Sequence, residues 1–116
     1  MSERQFRKDL HAGLIGLALL AVLAASDEDL YPYDIAKRLR ALGGELPFSP
    51  GTIYPLLRTM ASRGWLTSRI APSYSGPPRR YYRISEAGRA ALSERLAVWH
   101  RTREFVEAVT QGMLVR

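Results

Sequence analysis

The sequence lacks cysteine entirely and contains only two histidines, His11 and His100. A chain without cysteine forms no disulfide and no cysteine-ligated zinc site, and two isolated histidines do not predict a metal cluster. We also find no glycine-rich phosphate loop ending in Lys-Ser/Thr and no paired histidine and carboxylate whose spacing predicts one site. The sequence therefore predicts no metal, no other cofactor and no enzyme activity.

Long apolar runs are also absent, because the longest covers only the 12 residues 14–25. A helix that spans a membrane needs roughly 20 apolar residues, so we expect no membrane segment. The basic residues Arg4, Arg7 and Lys8 before this run imitate a secretory leader. The run continues directly into a charged, periodic segment, however, and removing it would take much of the core of a 116-residue domain. We interpret it as a buried helix of one small soluble domain.

Acidic residues are missing from one 40-residue segment, 46–85, which carries six arginines. The other 76 positions hold 11 basic and 11 acidic side chains, so the whole net charge of +6 comes from this segment. Its arginines are Arg58, Arg63, Arg69, Arg79, Arg80 and Arg83, and its tyrosines are Tyr54, Tyr74, Tyr81 and Tyr82. A solvated basic surface is one interpretation. Clustered arginine without nearby carboxylate is also typical of a surface that binds nucleic acid, because phosphate contacts release counterions.

Three helices are predicted before and within this segment. Apolar residues continue almost without a polar break from Leu10 to Leu23, which predicts a first helix that is buried on most sides. The second helix begins at Pro32 and ends at Gly43-Gly44. The third begins at Ser49-Pro50, a capping hydroxyl before a proline, and ends at Gly64.

The predicted third helix has one apolar and one polar face. Its apolar face consists of Ile53, Leu56, Leu57 and Met60. The opposite face holds Gly51, Pro55, Arg58 and Ser62, with Thr52 and Thr59 at its edges. That face is small, polar and basic.

A hairpin and a last helix complete the pattern. Residues 65–70 and 79–84 are predicted strands joined by the turn-rich segment 71–78, and Ser85 is the expected N-cap of a helix that reaches about Gln111. This order predicts a mainly α fold with a small β-hairpin. We expect a winged helix-turn-helix domain over 1–85 and a C-terminal dimerisation helix over 86–116. In such folds the third helix enters the major groove of DNA, and the hairpin, or wing, lies along the backbone or minor groove.

The candidate DNA-binding residues are Ser49, Gly51, Thr52, Tyr54, Arg58, Arg79 and Arg80. Arg58 is the best candidate for a base contact, since a guanidinium fits the two acceptors of guanine; the alternative is a solvated side chain. Ser49 caps the helix and leaves free N–H groups for a phosphate, and Tyr54 either packs against the second helix or reaches a phosphate. Because side chains alternate along a strand, one of Arg79 and Arg80 should face the DNA. For the same reason we expect Tyr82 or Ile84 in the core.

The last helix carries an apolar stripe that is too wide for one small domain to cover. Leu92, Leu96, Trp99, Val106 and Met113 follow a four-three spacing, with Arg103 and Thr110 at the remaining positions of the seam, and Val98, Phe105 and Val109 broaden it. A two-fold partner can cover such a face, so these residues predict a homodimer. Trp99 is either ordinary interface packing or part of a site between the last helices of the two copies, near both Trp99 side chains, for a flat aromatic effector that is neutral or cationic.

Three segments and one shorter motif resemble the PadR-like transcriptional regulators. They are Ser-Pro-Gly-Thr-Ile-Tyr-Pro-Leu-Leu at 49–57, Gly-Trp-Leu at 64–66, Gly-Pro-Pro-Arg-Arg-Tyr-Tyr-Arg-Ile-Ser-Glu-Ala-Gly at 76–88, and Tyr-Asp-Ile at 33–35. The resemblance covers about residues 10–100. It implies a bacterial and cytoplasmic DNA-binding homodimer, usually a repressor, whose short members carry one C-terminal helix and respond to small, often aromatic, effectors. Thr59 and Ala61 replace a frequent Arg and Glu, so the operator sequence cannot be transferred from relatives.

One alternative from another class remains at this point. The winged fold also occurs where it binds another protein, and the basic wing would then be incidental. Only a DNA-binding protein should lose affinity for a duplex steeply and linearly with the logarithm of the salt concentration.

Overall fold

A computed structural model describes residues 2–43 and 49–114 of the chain. Its elements, in chain order, are α1 (Glu3–Ala24), α2 (Pro32–Ala41), α3 (Pro50–Ser62), β1 (Leu66–Ala71), β2 (Arg79–Ile84) and α4 (Glu86–Leu114). The predicted mainly α fold with one hairpin is confirmed. Gly43 and Gly64, after α2 and α3, both have positive φ, which is the conformation glycine adopts most easily at a helix end. The predicted Gly44 lies outside the described residues.

The first helix begins earlier than the apolar pattern predicted. It begins at Glu3, where the Ser2 hydroxyl accepts a hydrogen bond from the Gln5 backbone N–H at 3.1 Å and Glu3 forms an ion pair with Arg7. Capping and charge pairing stabilise these polar first turns, and neither produces an apolar period. The prediction of burial on most sides was also wrong, because Leu10 is exposed and Leu14 is only half-buried.

The core lies between the inner faces of the first three helices and the hairpin. Its fully buried large side chains are Leu19, Leu20, Leu23, Leu30, Ile35, Ile53 and Leu57. Tyr82 and Ile84 of β2 are both buried against this cluster, where we expected at least one of them. Burying the apolar face of α3 in this way fixes its opposite face toward solvent.

The loop between α1 and α2 forms an isolated β-bridge with the hairpin. Strands β1 and β2 pair antiparallel, from Leu66 with Ile84 to Ala71 with Arg79. The backbone N–H of Leu30 donates to the Tyr82 carbonyl at 2.9 Å, and the Tyr82 N–H donates to the Leu30 carbonyl at 2.7 Å. The wing is therefore anchored to the helical core along β2.

The start of α4 is joined closely to the end of α3. The Ser85 hydroxyl caps α4 by accepting from the Gly88 N–H at 3.0 Å, as predicted, and it donates to the Gly64 carbonyl at 2.6 Å. The Ser85 N–H donates to the Trp65 carbonyl at 3.0 Å. A Cβ at Gly88 would lie 2.1 Å from that same carbonyl oxygen, so only glycine allows this approach. We call residues 64, 65, 85 and 88 the α3–α4 joint.

The C-terminal part of α4 extends away from the rest of the chain. The helix has 29 residues, and residues 100–112 are all exposed. The described molecule is consequently elongated, with principal extents of 62 × 31 × 23 Å. Of the helices in residues 2–43 and 49–114, none is both long and apolar enough to cross a membrane.

Candidate nucleic-acid interface

The outer face of α3 presents the predicted polar residues to solvent. Because Ile53, Leu57 and Met60 are buried, Gly51 and Arg58 lie on the exposed side of the helix. The Arg58 side chain makes no ion pair with any carboxylate of the described residues. A guanidinium in this position is available to a partner molecule.

Ser49 occupies the N-cap position but does not cap with its side chain. Its backbone is extended and its carbonyl accepts from the N–H groups of Thr52 and Ile53, both at 3.0 Å. The Ser49 and Thr52 hydroxyls instead form a hydrogen bond with each other at 3.1 Å. The Ser49 hydroxyl therefore bonds to the Thr52 hydroxyl and accepts no hydrogen bond from a backbone N–H of α3.

The two wing arginines lie on opposite faces of β2. Arg80 shares a face with Tyr82, and its guanidinium donates to the Ser68 hydroxyl at 3.0 Å. Arg79 lies on the other face, with its guanidinium 4.6 Å from the ring centroid of Tyr31. The two side chains alternate across β2 as expected, and which of them faces DNA stays a prediction. Each arginine is held in place by a neighbour within the chain.

A groove between α3, the start of α2 and the wing joins three of the seven candidates, Tyr54, Arg79 and Arg80. It has a volume of 410 Å³. Its lining consists of Tyr31, Pro32, Tyr54, Ser73, Ser75, Gly76, Pro77, Pro78, Arg79 and Arg80. Tyr54 is exposed and lines this groove together with Pro32 of α2, so its contact with a phosphate stays a prediction. The lining contains two cations and no carboxylate, a composition that suits an anion.

Charges from α3 and the wing both influence the buried Tyr82. Burial raises the pKa of Tyr82, while the positive charges of Arg80 and Arg58 lower it. Arg58 lies on the exposed side of α3, and the groove joins Tyr54 of α3 to Arg79 and Arg80 of the wing. We call Arg58, Tyr54, Arg79 and Arg80 together the α3–wing surface.

Two arginines of the acid-free segment share one carboxylate partner, which offsets one of their two charges. Arg69 and Arg83 both form ion pairs with Asp29, and Arg83 also donates to the Asp27 carbonyl at 2.9 Å. Hydrogen bonds from Arg69 and then Arg83 hold the pKa of Asp29 below its usual value. The sequence count of six arginines therefore overestimated the charge available to a phosphate, because the partner carboxylate lies outside the segment.

Tyr31 is a residue that the sequence analysis missed. Its ring contacts Arg79, stacks with Tyr33 at a centroid distance of 5.9 Å and lies 5.7 Å from Tyr81. Arg69 extends this series, 4.9 Å from the Tyr81 ring. The aromatic residues on both sides of Pro32, just before a helix, were the available signal.

A second groove lies between α1 and α4. It has a volume of 510 Å³ and is lined by Leu10, Gly13, Leu14, Leu17, Glu94, Arg95, Val98, Trp99 and Thr102. Trp99 is half-buried at its wall. The groove is predominantly apolar and large enough for a small aromatic molecule.

The predicted dimerisation stripe is only partly free. Leu92 packs against the core of its own chain, while Leu96 is half-buried and Val106 is 50% exposed. The neighbours Val98, Phe105 and Val109 and the α1 residues Phe6 and Leu10 are exposed as well. The side chain of Met113 lies outside the described part of the chain. The exposed apolar surface thus includes α1 as well as α4.

The described residues offer no obvious metal site. Within residues 2–43 and 49–114, no group of three or more histidine, aspartate or glutamate side chains could hold an ion. The described residues thus offer two candidate binding sites, the basic α3–wing surface and the apolar groove between α1 and α4.

Comparison with known proteins agrees with this geometry. The family model described as the transcriptional regulator PadR-like family matches residues 19–94. A transcriptional regulator from Mycobacterium tuberculosis is 38% identical over 72 residues, which cover 60% of this chain and 63% of that protein.

Solved structures of similar proteins extend the match over most of the chain. A PadR family transcriptional regulator from Eggerthella lenta has 30% identity and a TM-score of 0.75, covering 91% of this chain and 89% of its own. A PadR-like regulator from Bacillus cereus has 29% identity and a TM-score of 0.68, covering 85% of this chain and 93% of its own.

Proposed function

This chain belongs to the PadR-like family of transcriptional regulators, and from that premise we propose that it is a repressor released from its operator by a small aromatic effector. It is a regulator of transcription and not an enzyme. We further propose that residues 1–85 bind DNA and residues 86–116 form the dimerisation helix. Because its target is the chromosome, we place the protein in the cytoplasm.

The observation that carries the DNA-binding proposal is the groove that joins Tyr54 of α3 to Arg79 and Arg80 of the wing, with no carboxylate in its lining. The exposed face of α3, the helix expected in the major groove, carries Arg58. Helix and wing together therefore offer a basic surface that can follow a phosphate backbone while α3 reaches base edges.

The residues of the α3–wing surface take different roles in this proposal. Arg58, which has no ion-pair partner among the described residues, reads a guanine edge. Arg79 and Arg80 contact phosphates, because Tyr31 and Ser68 hold them at the groove. Gly51, Thr52 and the Ser49 hydroxyl line the approach of α3 to the backbone, and Tyr54 reaches a phosphate from the groove.

We propose that the operator is pseudo-palindromic and that a homodimer binds it. The exposed apolar residues of α4 and α1 provide the surface that a second copy would cover. Two-fold symmetry then sets the half-site centres roughly 34 Å apart, or a multiple of that distance. Leu92, Leu96, Trp99, Val106 and Met113 are the proposed contacts on α4.

The proposed effector site is the groove between α1 and α4. Trp99 offers an indole face to a planar ring, and Leu10, Leu14 and Leu17 give the groove an apolar lining. A flat aromatic molecule that is neutral or cationic fits this lining, which also includes Glu94. Because Trp99, Leu10 and Val98 also belong to the surface that a second copy would cover, the groove would border the dimer interface. Occupancy would then spread the α4 helices and change the separation of the two recognition helices.

Alanine variants of the arginines test the assignment of roles. Arg58→Ala should weaken operator binding by about 1–3 kcal/mol and relax base preference at one position in each half-site. Arg79→Ala and Arg80→Ala should weaken binding to all duplexes alike. Binding to the operator and to duplexes with single-base changes would be measured by fluorescence anisotropy.

Arg101→Ala is the matched control, because it removes the same charge from the exposed side of α4. It should leave DNA affinity nearly unchanged. If the wing variants changed base preference while Arg58→Ala did not, the assigned roles would be reversed. If none of the three variants weakened binding more than Arg101→Ala, the α3–wing surface would not be the DNA site.

A further inference from the structure

Trp65 connects the end of the recognition helix to the start of α4. Its backbone N–H donates to the Met60 carbonyl in the last part of α3 at 2.9 Å, and its carbonyl accepts from Ser85 at 3.0 Å. Its side chain packs against the hydrophobic core. A shift of this indole relative to α4 therefore acts on both sides of the α3–α4 joint.

Arg95 is the residue that holds this indole from α4. Its guanidinium carbon lies 4.2 Å from the ring centroid of Trp65, closer than that of Arg63 at 5.1 Å. Arg95 lies two helical turns after Gly88, so both lie on the side of α4 that packs against the Trp65 region.

The same Arg95 side chain also lines the α1–α4 groove, beside Trp99. Within residues 2–43 and 49–114 no carboxylate forms an ion pair with it. The guanidinium is therefore held in place by the indole, and a cation–π contact at a partly exposed site is weak. A molecule that fills the groove can displace it without breaking an ion pair.

We propose that Arg95 is the positioning residue that couples occupancy of the α1–α4 groove to the recognition helix, through its contact with Trp65. An aromatic group beside Trp99 contacts the Arg95 side chain and moves its guanidinium off the Trp65 ring. Trp65 then shifts against α4 and changes the orientation of the end of α3. The inference deepens the proposed regulation and rests on it for the effect on DNA.

The absence of cysteine allows the groove to be filled without knowing the effector. Gly13 lines the groove, and a Cβ at this position meets no atom within 4 Å. A single thiol introduced by Gly13→Cys can be modified with benzyl methanethiosulfonate, which places a phenyl ring in the groove. Methyl methanethiosulfonate modifies the same thiol and is the matched control.

Trp65 fluorescence gives a readout that needs neither effector nor DNA. In the full-length Gly13→Cys, Trp99→Phe protein, Trp65 is the remaining tryptophan of the two in the sequence. We expect benzyl modification to change its emission and methyl modification to leave it unchanged. Adding Arg95→Met, which keeps a long side chain without the guanidinium, should abolish the response, and Arg95→Lys should restore part of it.

The second readout is DNA affinity of Gly13→Cys proteins that retain Trp99. Benzyl modification should weaken operator binding about fivefold with Arg95 present and leave it unchanged with Arg95→Met. Arg63→Met removes the other guanidinium near Trp65 and should leave the benzyl effect intact.

The two readouts separate failure of the inference from failure of the proposed function. An unchanged Trp65 emission on benzyl modification, or an equal response with Arg95→Met, overturns the role of Arg95. A Trp65 response that depends on Arg95 supports the contact even if DNA affinity does not change. A Trp65 response without a change in DNA affinity would overturn the proposal that an effector in the groove regulates DNA binding.

Discussion

Single residues in this protein act mainly by fixing how its elements approach one another. Gly88 allows α4 to begin against the Trp65 carbonyl, and Ser85 links the same point to Gly64. Asp29 ties Arg69 and Arg83 of the hairpin to the loop before α2. These contacts fix the relative positions of the elements that carry the α3–wing surface.

Gly88 leaves no room for a side chain at the start of α4. A Cβ there would lie 2.1 Å from the Trp65 carbonyl oxygen and 2.7 Å from a side-chain carbon of Ile84, so backbone has to move. We expect Gly88→Ala to lower the free energy of unfolding by about 3 kcal/mol. Urea denaturation at one fixed protein concentration measures this loss.

Gly13→Ala is the control for this change. Gly13 also lies in a helix, but its Cβ would meet open space, so alanine should stabilise the protein by about 0.5–1 kcal/mol. Equal stabilities of the two variants would show that α4 does not approach Trp65 as closely as described.

The ion pairs of Asp29 make the stability of the fold depend on pH. Because Arg69 and Arg83 lower its pKa in the folded state, the carboxylate stabilises the fold above its unfolded pKa, about 3.8. That stabilisation is lost as the pH falls from about 4 through the lower folded value. Asp29→Asn should therefore cost on the order of 1 kcal/mol near neutral pH, and the difference from the wild type should shrink as the pH falls below about 4.

Thermal unfolding between pH 7 and pH 3 measures this difference. Asp27→Asn is the control, because the Asp27 carboxylate forms no ion pair within the described residues. A cost of Asp29→Asn that persists unchanged at the lowest pH would contradict the ion-pair explanation.

At the scale of elements, the sequence predicts best where the signals are local. The proline and glycine boundaries of α3, the Ser85 cap and the alternation in β2 are each encoded within a few residues, and the structure confirms them. The start of α1 was missed because its first turns depend on capping and charge pairing. The bridge between Leu30 and Tyr82 joins residues far apart in the chain, and no local pattern encodes such a pairing.

The candidate site shows the same limit. Grouping Arg58, Arg79, Arg80 and Tyr54 followed from helix and strand periodicity. The sequence could not show that Arg69 and Arg83 form ion pairs with a carboxylate, because their partner Asp29 is distant in sequence. The contact of Arg79 with Tyr31 depends on the same three-dimensional pairing.

The element-scale prediction concerns the exposed part of α4. Leu96→Glu places a charge within the proposed dimer interface, and Ala97→Glu places the same charge at an exposed position about 100° around the helix, outside the proposed contacts. We expect sedimentation at micromolar concentration to show a dimer for the wild type and Ala97→Glu, and a monomer for Leu96→Glu. A wild-type monomer, or a Leu96→Glu dimer, would show that the assigned interface is wrong.

At the scale of the whole molecule, one element connects the two surfaces. The helix α4 begins at the joint with α3, lines the groove with Arg95 and Trp99, and then extends alone over residues 100–112. Dimerisation through this helix would fix the separation of two recognition helices. A change in the groove could then alter DNA binding without touching the α3–wing surface.

The most direct test of the central claim is a salt titration of duplex binding by the wild type and the Arg79→Ala, Arg80→Ala double variant. The logarithm of the association constant should fall linearly with the logarithm of salt concentration, with a slope of about −0.9 for each phosphate neutralised. The double variant should have a shallower slope, by about 2 for one lost phosphate contact per arginine. If the wild type instead bound DNA without salt dependence, or both proteins had the same slope, the α3–wing surface would not be a phosphate-binding surface.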